Sequence, residues 1–175
     1  MQIFGIVGWK NSGKTGLMER LVAEISQRGI SVSTVKHAHH SFDIDHSGKD
    51  SYRHRVAGAK EVLLSSRNRW ALMHETRGAP EESLEALLAR LSPVDLVLIE
   101  GYKRDRHAKI EAHRRETQQP LIALDDPTIV ALASDEPLPD LPQPVLDLND
   151  TVAIADFILA HTGLRRPSEK VQNAC

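Results

Sequence analysis

The tightest constraint on this chain is a single eight-residue run, Gly8-Trp9-Lys10-Asn11-Ser12-Gly13-Lys14-Thr15, which matches G-x-x-x-x-G-K-[ST] in full. An apolar stretch from Ile3 to Gly8 enters it and predicts a strand. A segment from Thr15 to Gln27 leaves it, with Leu17, Leu21, Val22 and Ile25 at helical spacing and Gly29 as a stop. Strand, glycine loop and helix are the context in which this spacing binds phosphate. The glycines let the backbone curl with its N–H groups inward, and the helix N-terminus adds partial positive charge. Lys14 can reach the β- and γ-phosphates and the Thr15 hydroxyl can ligate Mg²⁺. The nucleotide-binding set is therefore Gly8, Trp9, Lys10, Asn11, Ser12, Gly13, Lys14, Thr15 and Gly16.

The rest of the chain alternates in the same style. Ile30 to Val35 predicts a second strand, Lys36 to Asp50 a polar loop, and about Lys49 to Ala59 a helix. Glu61 to Leu64 and Trp70 to Met73 are strand candidates joined by a turn at Arg67-Asn68-Arg69. A helix is expected from Pro80 through the Leu84, Leu87, Leu88 and Leu91 stripe to Ser92-Pro93. Val94 to Ile99 and Thr128 to Ala133 are nearly unbroken apolar runs, as in parallel strands covered on both faces. Four prolines between Glu136 and Pro144 forbid regular helix, and a final helix through Val152, Ile154, Ala155, Ile158 and Leu159 follows a cap at Asn149 or Asp150. This pattern predicts an α/β fold, P-loop NTPase-like, with a mostly parallel sheet flanked by helices. One nucleotide-binding domain is expected over 1–163, with 164–175 a flexible tail.

A phosphate-bound Mg²⁺ also needs a carboxylate at the end of a neighbouring apolar strand, and Glu100 follows Asp95-Leu96-Val97-Leu98-Ile99 at that place. Asp95, at the strand's start, reads as structural. His37, His39, His40, His46 and His54 are interleaved with Asp43, Asp45 and Asp50, either as a metal site or proton relay or as a polar loop with phosphate contacts. Asp45 is the first candidate for a carboxylate that orients water or stands in the outer shell of Mg²⁺. Ser134 and Asp135 end the run from Thr128, where parallel sheets bind ligands. A carboxylate there can accept from guanine N1–H and the 2-amino group together, or simply cap a turn. The candidate catalytic residues are Lys14, Glu100 and Asp45, and the candidate metal ligands Thr15 and Glu100.

Charge and cysteine content narrow the classes. With 22 Lys+Arg against 24 Asp+Glu, no basic field coats the surface, so a nucleic-acid partner is not expected. Cys175 is the sole cysteine, which excludes a disulfide framework and a multi-thiolate zinc site and fits a cytoplasmic protein. The N-terminal apolar run is far short of the ~20 residues of a membrane span, so no membrane association is expected.

The phosphate loop, Val35-Lys36-His37-Ala38-His39-His40, Asp43-Ile44-Asp45, Gly48 to Arg53, Ala57-Gly58-Ala59, Trp70 to Met73 and Val97 to Lys103 together resemble the MobB family, the molybdopterin-guanine dinucleotide biosynthesis protein B. Ala133-Ser134-Asp135 and Asp147 to Phe157 extend the likeness. The resemblance implies a P-loop fold, a homodimer, GTP and Mg²⁺ binding with slow hydrolysis, and an adaptor role beside the guanylyltransferase that attaches GMP to molybdopterin. Trp9 stands where dimeric relatives carry a second lysine, with Lys10 after it. Two other classes share the loop. A small-molecule or nucleotide kinase would need an Arg-rich lid, for which Arg104, Arg106, Arg114 and Arg115 are available unless they form a solvated loop and strand. A metal-delivery GTPase would use the histidine segment as its store.

Overall fold

The computed structural model describes residues 1–38, 42–138 and 140–164. The tail expected beyond Leu164, from 165 on, lies outside the described residues, as do His39 and His40 of the histidine segment. The backbone falls into two compact units, 1–37 with 91–175 and 38–90.

The larger unit is built on β1 (Gln2–Val7), α1 (Lys14–Gln27) and β2 (Val32–Lys36), and on four later strands and a closing helix. In the smaller unit lie α2 (Asp50–Val56), β3 (Glu61–Ser65), β4 (Trp70–His74) and α3 (Leu84–Leu88). The larger unit resumes with β5 (Leu96–Glu100), β6 (Lys109–His113), β7 (Ile129–Ser134), β8 (Val145–Asp147) and α4 (Thr151–His161). Its sheet has six strands in the order β2-β5-β1-β6-β7-β8, and every neighbouring pair is parallel. All carboxyl ends therefore share one edge, with β1 between β5 and β6.

Strand alternation sorts the core. Phe4, Ile6, Leu96, Leu98, Ile110, Ala112, Ala131 and Ala133 pack with Leu17, Met18, Leu21 and Ile25 of α1 and Ile154, Ala155, Ile158 and Leu159 of α4. Val7, Ile129 and Leu132 turn to the opposite face, against Ala123 in a single 3₁₀ turn at Ile122–Leu124. Asp150 caps α4, its carboxylate accepting from Ala153 N–H at 2.9 Å. Asp95 accepts from Ser31 N–H and Oγ–H at 2.8 and 2.6 Å and so ties β2 to β5 at their entry, the structural place foreseen for it.

The structure corrects three elements. The helix expected from Pro80 starts only at Leu84, because the Ser83 side chain takes the Ala86 N–H at 3.2 Å and sets the first turn there. It spans five residues and ends before Leu91. β8 was not expected, and β6 was expected only as the strand of a solvated loop and strand around Arg104 to Arg115, whereas it is buried throughout. β6 escapes a hydrophobic reading because Lys109, Glu111 and His113 are buried within it. Its polar groups are satisfied locally: Lys109 Nζ donates to the carbonyls of Asp105 and His107 and to Thr128 Oγ1, and Glu111 accepts from Ile122 and Ala123 N–H at 3.0 and 2.8 Å.

In the smaller unit β3 and β4 pair antiparallel, closed by Ser66 N–H on Arg69 O at 2.9 Å, the turn expected at 67–69. Val62 and Met73 are buried on one face of this hairpin.

Candidate nucleotide-binding site

β1 feeds the phosphate loop from the carboxyl edge of the sheet, and the loop's conformation depends on its glycines. At Gly8, with φ 148°, a Cβ would lie 2.4 Å from the Ala112 carbonyl oxygen and 2.5 Å from Ser12 Oγ, so no side chain fits. At Gly13, with φ 87°, a Cβ would meet the Arg114 guanidinium at 2.9 Å. α1 then begins with Gly13 as its N-cap residue, no side chain capping the helix and no acidic residue in the first turn. The leading amides of a 14-residue helix thus have no side-chain cap, the arrangement that suits an anion.

Lys14 curls back over its loop, Nζ donating to the Trp9 carbonyl at 2.5 Å and to Ser12 Oγ at 3.4 Å. Its pKa is pushed below the usual lysine range by burial first and by Lys103 next, with Glu100 opposing and Lys36 adding to the shift. Thr15 and Gly16 are exposed on the same first turn. Glu100 ends β5, in register with Ile6 on one side and Lys36 on the other, and Lys36 Nζ stands 3.3 Å from its carboxylate. Because the Lys36 side chain is 60% exposed, this pair is weak and easily exchanged for another partner of the carboxylate. The sequence brings Lys14, Thr15 and Glu100 to one edge of one sheet, as the motif requires.

Trp9, which the sequence marks only as replacing a lysine, is fixed on both sides. Its Nε1–H donates to Pro120 O at 2.7 Å, and Lys103 Nζ lies 4.1 Å from its ring centroid, a cation–π contact. Lys103 was not among the expected site residues, although its place three residues after Glu100 carries it to the same strand end. A cleft of about 420 Å³ opens beside the loop, lined by Trp9, Lys10 and Asn11 and by Glu116, Thr117 and Gln119 from the segment after β6.

Ser134 and Asp135 sit at the carboxyl end of β7. Ser134 Oγ accepts from Glu136 N–H at 3.2 Å, and Asp135 accepts from Arg115 N–H at 3.0 Å. Asp135 therefore ties the end of β7 to the segment after β6, which leaves further lone pairs on an exposed carboxylate. Asp45 belongs to the smaller unit, where Arg55 Nη2 holds it at 2.7 Å and keeps its pKa below the usual carboxylate range. Arg55 also reaches Asp43 at 3.1 Å and Glu75 at 3.6 Å. His37, the first member of the histidine segment, lies against the Tyr102 ring at 4.7 Å between centroids. Among the described residues no three His, Cys, Asp or Glu side chains are grouped as a metal site, and no helix is long and apolar enough to cross a membrane.

A parallel sheet with a phosphate loop at the carboxyl end of a central strand, and a carboxylate ending the adjacent strand, defines a P-loop NTPase-like protein. The family model described as "Molybdopterin guanine dinucleotide synthesis protein B" matches residues 3–135, and the chain belongs to this MobB family. It is 39% identical over 160 residues to the molybdopterin-guanine dinucleotide biosynthesis adapter protein of Escherichia coli, covering 90% of this chain and 91% of that one. Identity to the protein of the same name from Haemophilus influenzae is 41% over 158 residues, covering 89% and 86%. Among solved structures, a MobB protein homolog from Bacillus stearothermophilus superposes with a TM-score of 0.71 at 30% identity, covering 94% of this chain and all of that one.

Lys14→Ala deletes a charge and two loop hydrogen bonds but no core packing. Triphosphate binding, read by calorimetry, is expected to vanish while the melting temperature stays within a few degrees of wild type. Wild-type affinity in the variant contradicts the loop assignment.

Proposed function

We propose that this chain binds GTP with Mg²⁺ at the phosphate loop, hydrolyses it slowly, and serves as an adaptor in molybdopterin-guanine dinucleotide biosynthesis beside a guanylyltransferase partner. The observation that carries the nucleotide part is the uncapped first turn of α1 under a partly buried Lys14. The adaptor part is supported by membership of the MobB family and by the names of the relatives in Escherichia coli and Haemophilus influenzae.

The residues present suit the magnesium complex of a nucleoside triphosphate. The hard oxygen donors are the Thr15 hydroxyl and the Glu100 carboxylate, and the amides and Lys14 supply the positive side of the site. Mg²⁺ so held supplies neutralisation of the phosphate charge. In hydrolysis water adds to the γ-phosphorus as the bond to the β–γ bridging oxygen breaks, so that GDP and phosphate leave. Lys14 stabilises the charge that collects on the leaving oxygen, and Glu100 with the Thr15 hydroxyl would hold Mg²⁺, which would neutralise phosphate charge there. Base choice falls to Ser134 and Asp135 at the end of β7, where a carboxylate pairs with the two donors of guanine and finds none such on adenine.

The homodimer in this proposal is supported by the free face of the hairpin. Leu63 faces Leu72 across β3 and β4, Trp70 follows on the same face, and these three are 64, 44 and 67% exposed. A two-stranded sheet with one bare apolar face is marginal in water, and a second copy of this chain covers it.

Three measurements test the proposal. Glu100→Gln is expected to keep GTP affinity within a few-fold and to slow phosphate release about tenfold or more, since the amide keeps shape and loses charge; an unchanged rate contradicts the role. Asp135→Asn is expected to cost GTP roughly ten- to a hundredfold in affinity and to leave ATP unchanged. Equal loss for both nucleotides would mean that Asp135 supports the fold and reads no base. Sedimentation of the wild-type chain at micromolar concentration is expected to give the dimer mass, shifted to monomer by Trp70→Glu; a monomeric wild type refutes the dimer.

A further inference from the structure

Arg114 is the first residue after β6, and the sequence leaves it among arginines of a solvated loop or a lid. The structure puts it elsewhere. Its backbone is pinned, with its carbonyl oxygen accepting from Thr117 N–H at 3.0 Å and Thr117 Oγ–H at 2.8 Å. The next N–H, that of Arg115, is taken by Asp135. From this fixed point the side chain runs to the phosphate loop, where Nε and Nη2 lie 2.9 and 3.3 Å from the place a Cβ would take on Gly13. Only a glycine at position 13 leaves room for it.

One N–H of this half-buried guanidinium is left without a partner. Nε is sealed from solvent and has no hydrogen-bond partner, and no carboxylate among the described residues forms an ion pair with the group. Other arginines of the chain that are held in place have partners. Arg28 is paired with Glu24 and Asp156, Arg55 with Asp43, Asp45 and Glu75, and Arg20 donates to Leu148 O and Thr151 Oγ1. A desolvated, unpaired guanidinium N–H is costly unless an anion is to arrive. The immediate surroundings specify which anion. Gly13 precedes Lys14 in the loop, the α1 amides begin there uncapped, and Lys14, Lys36 and Lys103 contribute further positive charge to the same edge. A guanidinium fork matches phosphate oxygens in its plane, in a way an ammonium cannot.

We propose that Arg114 is a direct ligand of the nucleotide's phosphates, holding a phosphoryl oxygen from the β6 side of Gly13 while Lys14 holds the chain from within the loop. This inference rests on the reading of the loop as a nucleotide site and adds to it a residue outside the motif. It also gives β6 a function: its buried Lys109 and Glu111 fix the strand whose end carries the arginine.

Calorimetric titration of wild type, R114A and R114Q with GTP and, separately, with inorganic tripolyphosphate, both with Mg²⁺, tests it. Wild type is expected to bind both probes, and each variant to lose about tenfold or more in affinity for both. Melting temperatures report whether each variant folds; should R114A unfold, R114Q, which keeps most of the side-chain stem, decides alone. Unchanged affinities in a folded variant overturn the inference and leave the nucleotide reading standing. Loss of GTP affinity with tripolyphosphate binding intact also overturns it, since the contact would then be to ribose or base. A wild type that binds neither probe removes the nucleotide reading itself, and this inference with it.

Discussion

The start of α1 is a helix end without a cap, and the design of the larger unit follows from that omission. Helices usually satisfy their first amides with a Ser, Thr, Asp or Asn side chain, as α4 does with Asp150 and α3 with Ser83. At α1 the cap position is Gly13, and the amides are left open at the carboxyl edge of the sheet. The helix cannot recover this cost by moving away, because Leu17, Met18, Leu21 and Ile25 lock it onto β1, β5 and α4. Packing energy over the length of α1 thus holds a polar, uncompensated end in place, and in the proposed function the phosphates of the nucleotide complete it.

Charges around that end are arranged to favour such an anion without collapsing onto one another. Lys14 is satisfied by carbonyl and hydroxyl oxygens of its own loop and not by a carboxylate. Lys103 rests on the Trp9 ring, and Lys36 is tethered loosely to Glu100. Weak restraints of this kind keep cations near the site and cost little to exchange when phosphate arrives. The contrast is with Arg55 of the smaller unit, committed to three carboxylates at once.

The loop and its neighbours were legible because their chemistry is written in short range: eight consecutive residues, an apolar strand before them, a periodic helix after them. Glu100 was legible as the polar end of an apolar run that the parallel sheet places beside β1. β6 was not, since Lys-Ile-Glu-Ala-His alternates like a half-exposed strand or loop, and its Lys109 and Glu111 are buried with their charges met by backbone groups at 105 and 107 just before it and at 122 and 123 just after it. With this stretch read as a solvated loop and strand or a lid, Arg114 had no defined place, and its approach to Gly13 across about a hundred residues of sequence could not be read. The short α3 was overextended for a related reason. Leucine spacing predicts a helix, but the Ser83 cap decides where it starts.

Nucleotide binding, hydrolysis and the Arg114 contact, as proposed, all depend on a nucleoside triphosphate occupying the phosphate loop, and base choice depends on its being GTP. Isothermal titration of the wild-type chain with GTP and with ATP, each with and without Mg²⁺, measures this directly. One GTP is expected to bind per chain, more tightly with Mg²⁺ than without and more tightly than ATP. Absence of GTP binding at millimolar concentration, or affinities indifferent to both base and metal, would contradict it.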